Sequence, residues 1–161
     1  MSKSLGNAIY ISDTSEVIKE KVMKMYTDPN HINISDPGKV EGNMVFTYLD
    51  AFARDEDFLE YASEYKNLDE MKDHYRRGGL GDVKIKKFLI NVLNREFAPI
   101  RERRAYFENH IEEVIEILKN GTEKAKNDAD EVLTRVKKSM GINYFDDDTF
   151  IDIYKNKYNK E

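Results

Sequence analysis

The chain has 161 residues, 40% of them hydrophobic and 35% charged, enough for a soluble helix-rich domain with a single core. Cysteine is absent, which excludes disulfides and Cys-based zinc sites, and no apolar run is long enough to span a membrane. A net charge of -5 argues against a protein that coats nucleic acid indiscriminately, and the absence of an apolar stretch after Lys3 argues against a secretory signal.

Residues 1–12 read as extended or looped, with Ile9, Tyr10 and Ile11 as a short apolar patch. Asp13, Thr14 or Ser15 can cap a helix, and Val17, Ile18, Val22 and Met25 recur at helical spacing, so the pattern predicts an amphipathic helix over residues 16–25. Residues 27–42 carry two prolines and two glycines in Asp28-Pro29, Asp36-Pro37-Gly38 and Glu41-Gly42, and read as a plain connecting loop. Val45, Phe46, Tyr48, Leu49 and Phe52 mark a buried helix over 43–53. A second, over 55–65, turns Phe58, Leu59 and Ala62 inward. A third carries Leu68, Met71, His74 and Tyr75 and ends at Gly78-Gly79. Gly78-Gly79-Leu80-Gly81 lacks the Lys-Ser/Thr of a nucleotide loop and reads as a sharp helix-helix corner.

Residues 82–109 form the predicted spine, with Ile85, Phe88, Leu89, Val92, Phe97 and Ile100 on one face. Pro99 removes a backbone donor and should kink or restart the helix, re-aiming Arg101, Arg103 and Arg104. After a break near Asn109-His110, Val114, Ile115 and Leu118 predict a short helix stopped at Asn120-Gly121. Thr122 then opens another with Ala125, Ala129, Val132, Leu133, Val136 and Met140 inward, ended by Gly141. The tail is either a short helix holding Phe150, Ile151, Ile153, Tyr154 and Tyr158, capped by Asp146-Asp147-Asp148, or a loosely docked segment. The expected fold is therefore all-α, a bundle of about six helices behind an irregular N-terminal loop.

Charge is unevenly distributed. Between Lys72 and Arg104 ten basic residues face four acids, +6 locally, so the remainder carries -11. This suits an oriented encounter with a phosphate backbone, against the bland alternative of a solvated helix face. Arg76, Arg77, Lys84, Lys86, Lys87, Arg101, Arg103 and Arg104 are the candidate contacts. No metal site is expected: the histidines His31, His74 and His110 are 43 and 36 residues apart, and the Asp146–Asp148 cluster lacks the alternation and glycine of a calcium loop.

A succession of short runs carries a family resemblance. Met1-Ser2-Lys3-Ser4-Leu5-Gly6-Asn7 resembles the KMSKS phosphate loop of class I aminoacyl-tRNA synthetases, with Lys3 matching the motif's second lysine. It is followed in order by Met25-Tyr26-Thr27-Asp28-Pro29, Asp36-Pro37-Gly38, Glu41-Gly42-Asn43, Val45-Phe46-Thr47-Tyr48-Leu49, Tyr75-Arg76-Arg77-Gly78-Gly79-Leu80-Gly81-Asp82 and Pro99-Ile100-Arg101-Glu102-Arg103-Arg104. The succession is similar to the C-terminal half of bacterial tryptophanyl-tRNA synthetases over residues 2–140.

The resemblance implies a division into residues 1–42 (phosphate loop, first helix and linker), 43–141 (helical anticodon-binding domain) and 142–161 (acidic tail). It implies that Ser2, Lys3 and Ser4 grip ATP phosphates, with Lys3 catalytic as a positioned charge. It implies ATP with Mg2+ in the complete enzyme, with neither bound tightly by this chain. Its implied partners are tRNA(Trp) and a preceding catalytic half, in a cytoplasmic homodimer without membrane contact. The nucleotide- and tryptophan-binding half lies outside these residues, so the chain reads as a fragment inactive by itself. A non-catalytic RNA-binding module and an RNA-inert helical fragment are the alternatives. Tyr75 and Tyr106 adjoin basic clusters, where a ring either stacks on an unpaired anticodon base or packs against the core.

Overall fold

The computed structural model describes residues 4, 6–144 and 148–158, and every structural statement below concerns these residues. They form seven α-helices and no strand: α1 (Ser15–Met23), α2 (Met44–Phe52), α3 (Asp55–Tyr61), α4 (Leu68–Arg77), α5 (Asp82–Glu108), α6 (Ile111–Met140) and α7 (Asp148–Tyr158). The chain divides into two compact units, Met1–Tyr106 and Phe107–Glu161.

Local chemistry sets most helix ends of the first unit. Thr14 caps α1 by accepting from the Val17 N–H, and Asn43 caps α2 by accepting from Val45. Asn67 does the same for α4 through Glu70. Asp57, in the first turn of α3, accepts from the Arg54 backbone N–H at 2.8 Å. The core is built from Ile18 and Val22 of α1, Val45, Phe46 and Leu49 of α2, Phe58 of α3, Met71 and Tyr75 of α4, and Ile85, Leu89, Val92 and Leu93 of α5. Each side chain of this size contributes about 1.5–3 kcal/mol when fully buried. The rings of Phe58 and Phe88 meet at 4.7 Å and tie α3 to α5.

Some sequence expectations fail. Leu59 is 80% exposed, because α3 is only two turns long and turns Asp57 and Phe58 to the core instead. Ile100 is 41% exposed beside a core that ends at Phe97. α5 runs through Pro99 without restarting, since a proline removes only one intrahelical bond from a helix of 27 residues. No break occurs at Asn120-Gly121: α6 is one helix of 30 residues. A lone glycine costs a helix about 1 kcal/mol, which its neighbours outweigh. Thr122 does not cap there. Its hydroxyl donates back to the Leu118 carbonyl at 2.7 Å, inside the helix.

None of the residues expected inward on α6 is buried. Ile115, Leu118, Val132, Leu133, Val136 and Met140 are between 45% and 66% exposed. Taken by itself, the second unit holds only α6 and α7, too little chain to enclose a core. Gly141 ends α6 as expected, at φ +67°, where the left-handed region favours glycine. The tail forms α7, along which Phe150 and Tyr154 pack at 4.6 Å. Asp146 and Asp147, the expected caps, lie outside the described residues.

Candidate functional site

Ser2 and Lys3 of the phosphate-loop motif lie outside the described residues, and Ser4 is exposed. The segment that follows is held firmly. The Lys21 ammonium donates to the Ala8 carbonyl at 2.8 Å and to Asp13 Oδ2 at 2.6 Å. The same Asp13 oxygen accepts from the Tyr10 N–H, closing residues 10–13 into a turn. Burial works against the Asp13 charge, but the bonds from Lys21 and Tyr10 outweigh it and hold its pKa below the ordinary aspartate value. Arg101 reaches from α5 to the Asp13 carbonyl and Ser15 Oγ, both at 3.4 Å, and to Asn94 at 3.3 Å. Lys86 donates to the Met23 carbonyl at the other end of α1, at 3.1 Å. The two α5 cations thus fasten the start and the end of α1.

The other basic candidates divide into paired and outward-facing groups. Arg76 bridges Glu41 at 2.9 Å and Asp73 at 3.1 Å, and Lys84 pairs with Glu64 at 2.5 Å. Arg77 donates to the Asp73 carbonyl at 3.3 Å. Two further cations of the stretch are also paired: Lys72 with Asp50, and Arg95 with both carboxylate oxygens of Asp57 and with Glu96. The acids that the sequence places outside the basic stretch are therefore brought back against it by folding. Lys87, Arg103 and Arg104 are exposed, and Lys87 and Arg103 have no ion pair among the described residues.

The arrangement that sequence reasoning missed is a buried polar cluster where residues 27–42 meet the α4–α5 corner. Asp82 Oδ1 accepts the Tyr75 hydroxyl at 2.7 Å and lies 3.0 Å from His31 Nδ1, while Oδ2 accepts the Thr27 hydroxyl at 2.6 Å. Asn43 Nδ2 approaches the Tyr75 hydroxyl at 3.4 Å. Burial opposes ionisation of Asp82, but its three donors prevail and leave its pKa low. Burial, then the bond to Asp82, pushes the Tyr75 phenol well above its ordinary range.

Tyr75 is fully buried, its ring edge-on to His31 at 4.7 Å and to Phe46 at 5.1 Å, so it takes the core role and offers no surface for a base. Tyr106, by contrast, is 48% exposed. The chain approaches this cluster so closely that glycine is required. A Cβ on Gly38 would lie 2.3 Å from the Tyr75 ring, and one on Gly78 the same distance from the Ser35 carbonyl oxygen. Residues 27–42 are thus pinned to the bundle and are more than a connector. The legible signal was the pairing of Asp28-Pro29 and Asp36-Pro37-Gly38 with a Gly-rich corner ending in Asp82. Sequence spacing alone does not reveal that the two meet.

His31 Nε2 is buried without a hydrogen-bond partner, beside a cavity of about 230 Å³ lined by His31, Ile32, Asn33, Ile34, Gly81, Asp82 and Val83. Among the described residues no group of three His, Cys, Asp or Glu side chains is placed to hold a metal ion, and no helix is long and apolar enough to cross a membrane.

Comparison with known proteins places this geometry in a family. The family model for class I tRNA synthetases (W and Y) matches residues 1–98, more than half the chain. The tryptophan–tRNA ligase of Streptococcus pyogenes serotype M3 is 55% identical over 145 residues, 90% of this chain and 41% of the relative. That of Clostridium longisporum is 57% identical over the same length, 40% of the relative. The crystal structure of tryptophanyl-tRNA synthetase from Campylobacter jejuni superposes with a TM-score of 0.68 at 25% identity, over 88% of this chain and 42% of that one. A structure of the same protein complexed with ADP and tryptophan gives 0.69. The chain spans about two fifths of the length of the curated relatives it matches. It belongs to the class I tRNA synthetases of the tryptophan and tyrosine type.

Proposed function

We propose that this chain works as the C-terminal portion of a tryptophan–tRNA ligase, supplying the ATP-phosphate loop and a tRNA-binding helical domain for tryptophanyl-tRNA synthesis. The single observation that carries this is 55% identity over 145 residues to ligases of that specificity, starting from a chain whose first residues hold the phosphate-loop lysine. In the first step the tryptophan carboxylate attacks the α-phosphorus of ATP, tryptophanyl-adenylate forms and pyrophosphate leaves. Lys3, with Ser2 and Ser4, meets the charge that grows on the departing phosphates. The charge must be positioned to count, so the remaining three fifths of the relatives' length, absent from this chain, is needed for the step. Mg2+ enters with ATP as part of the substrate, and no ligand of this chain is assigned to it.

The second partner is tRNA(Trp), bound through residues 43–141 in a cytoplasmic, homodimeric enzyme. Because Arg76, Lys84, Lys86 and Arg101 already bond to partners within this chain, Lys87 and Arg103 are the foremost phosphate contacts, followed by Arg77 and Arg104. The reading is tested by joining this chain to the preceding portion of the Streptococcus pyogenes relative and assaying pyrophosphate exchange. The joined protein should exchange and the isolated chain should not. Lys3→Ala should slow exchange about a hundredfold. Exchange by the isolated chain, or a Lys3→Ala protein as fast as its parent, refutes it. Reversing Lys87 and Arg103 to glutamate should weaken tRNA binding and flatten its salt dependence by about 0.7–0.9 of a log-log unit per lost phosphate contact.

A further inference from the structure

Lys21 is placed for more than helix stability. It lies in the last turn of α1 and reaches back 13 residues to the Ala8 carbonyl, while also pairing with Asp13. Its side chain is only 16% exposed and that of Asp13 only 12%, so this is no solvated surface pair of negligible worth. The ammonium also lies 4.9 Å from the centre of the Tyr10 ring. One lysine therefore touches three points of the segment 8–13, and Arg101 holds the same segment from α5 through the Asp13 carbonyl. None of this is needed to start α1, which Thr14 already caps. Upstream of Ala8, Gly6 has a positive φ of +64° and is exposed, and the Lys21 contacts anchor the chain directly after the motif. Lys3 stands five residues before Ala8.

We propose that Lys21 is a positioning residue for amino-acid activation, holding the chain at Ala8–Asp13 so that the charge of Lys3 meets the ATP phosphates at the right place. The proposal rests on the reading of Lys3 given above. A displacement of about 1 Å at a catalytic group is enough to cost roughly a hundredfold in rate, whereas binding of tryptophan, made elsewhere, is indifferent to it. Lys21 then acts through Lys3 and touches no substrate itself.

The test is a double-mutant cycle in the joined full-length ligase, reading pyrophosphate-exchange kcat, the KM for tryptophan and the melting temperature. Lys21→Met keeps the stem and removes the donors. It should lower kcat about tenfold or more, leave the KM for tryptophan unchanged, and cost less than about twofold when Lys3 is already alanine. Lys21→Arg should restore most of the rate. Equal losses in both backgrounds, or a loss that simply follows the melting temperature, would mean a structural role and overturn the proposal. So would an unchanged rate in Lys21→Met. If Lys21→Met does not fold, Asp13→Asn, which spares the Ala8 bond, should show a smaller kcat loss with the same dependence on Lys3, and additivity there overturns the idea equally. An inert Lys3→Ala removes the underlying reading itself. A damaging Lys3→Ala with an additive Lys21→Met removes only this inference.

Discussion

Removing the Tyr75 hydroxyl is the sharpest probe of the buried cluster. Tyr75→Phe deletes one oxygen and opens no sizeable cavity, and the ring keeps its contacts with His31 and Phe46 at 4.7 and 5.1 Å. What disappears is the 2.7 Å hydrogen bond to Asp82, a carboxylate held ionised, together with the weaker approach from Asn43. A hydrogen bond to a charged group contributes about 1.5–3 kcal/mol, and here the Asp82 carboxylate keeps only its bonds from Thr27 and His31. We expect a loss of about 2 kcal/mol. For a unit of roughly a hundred residues, each kcal/mol lowers the melting temperature by about 4–8 °C, so calorimetry should register a drop of about 8–15 °C. The Asp82 pKa should rise at the same time, since one of the bonds that depress it is gone. A change of less than about 2 °C would show that the hydroxyl contributes no net bond and that the cluster is not what pins residues 27–42.

Gly78→Ala should cost more than about 3 kcal/mol in urea unfolding: φ is +85° and the new Cβ would meet the Ser35 carbonyl oxygen at 2.3 Å, so backbone strain and a backbone clash add. The pH dependence has two sides. The Tyr75 phenol is raised above its ordinary value near 10, so its contribution is complete below that pH and is lost as pH climbs further; in native protein Tyr75, together with Tyr61 and Tyr65, should lag the other tyrosines in alkaline titration near 295 nm, and Tyr75→Phe should show one lagging group fewer. Asp82 is lowered from 3.8, so its contribution is present above that pH and drains away as pH falls below it, an acid transition that Asp82→Asn should shrink.

Sequence alone determined the helices whose ends are set within one turn of chain. Thr14, Gly78 and Gly141 act on backbone groups three or four residues away, so local patterning finds them, and the succession of short motifs found the family as well. Periodicity misled where it had to guess what covers a helix. Ile115, Leu118 and Val136 repeat correctly along α6, yet burial depends on neighbours that no local pattern reports. Charge was only partly legible for the same reason. A +6 stretch is a fact of sequence, but Glu41, Asp50, Asp57 and Glu64 reach it only through folding, where they pair with Arg76, Lys72, Arg95 and Lys84. Only the tertiary structure decided the cluster at Asp82. Its donors come from 55, 51 and 7 residues away, and a half-buried carboxylate is stabilised there only when all of them arrive together.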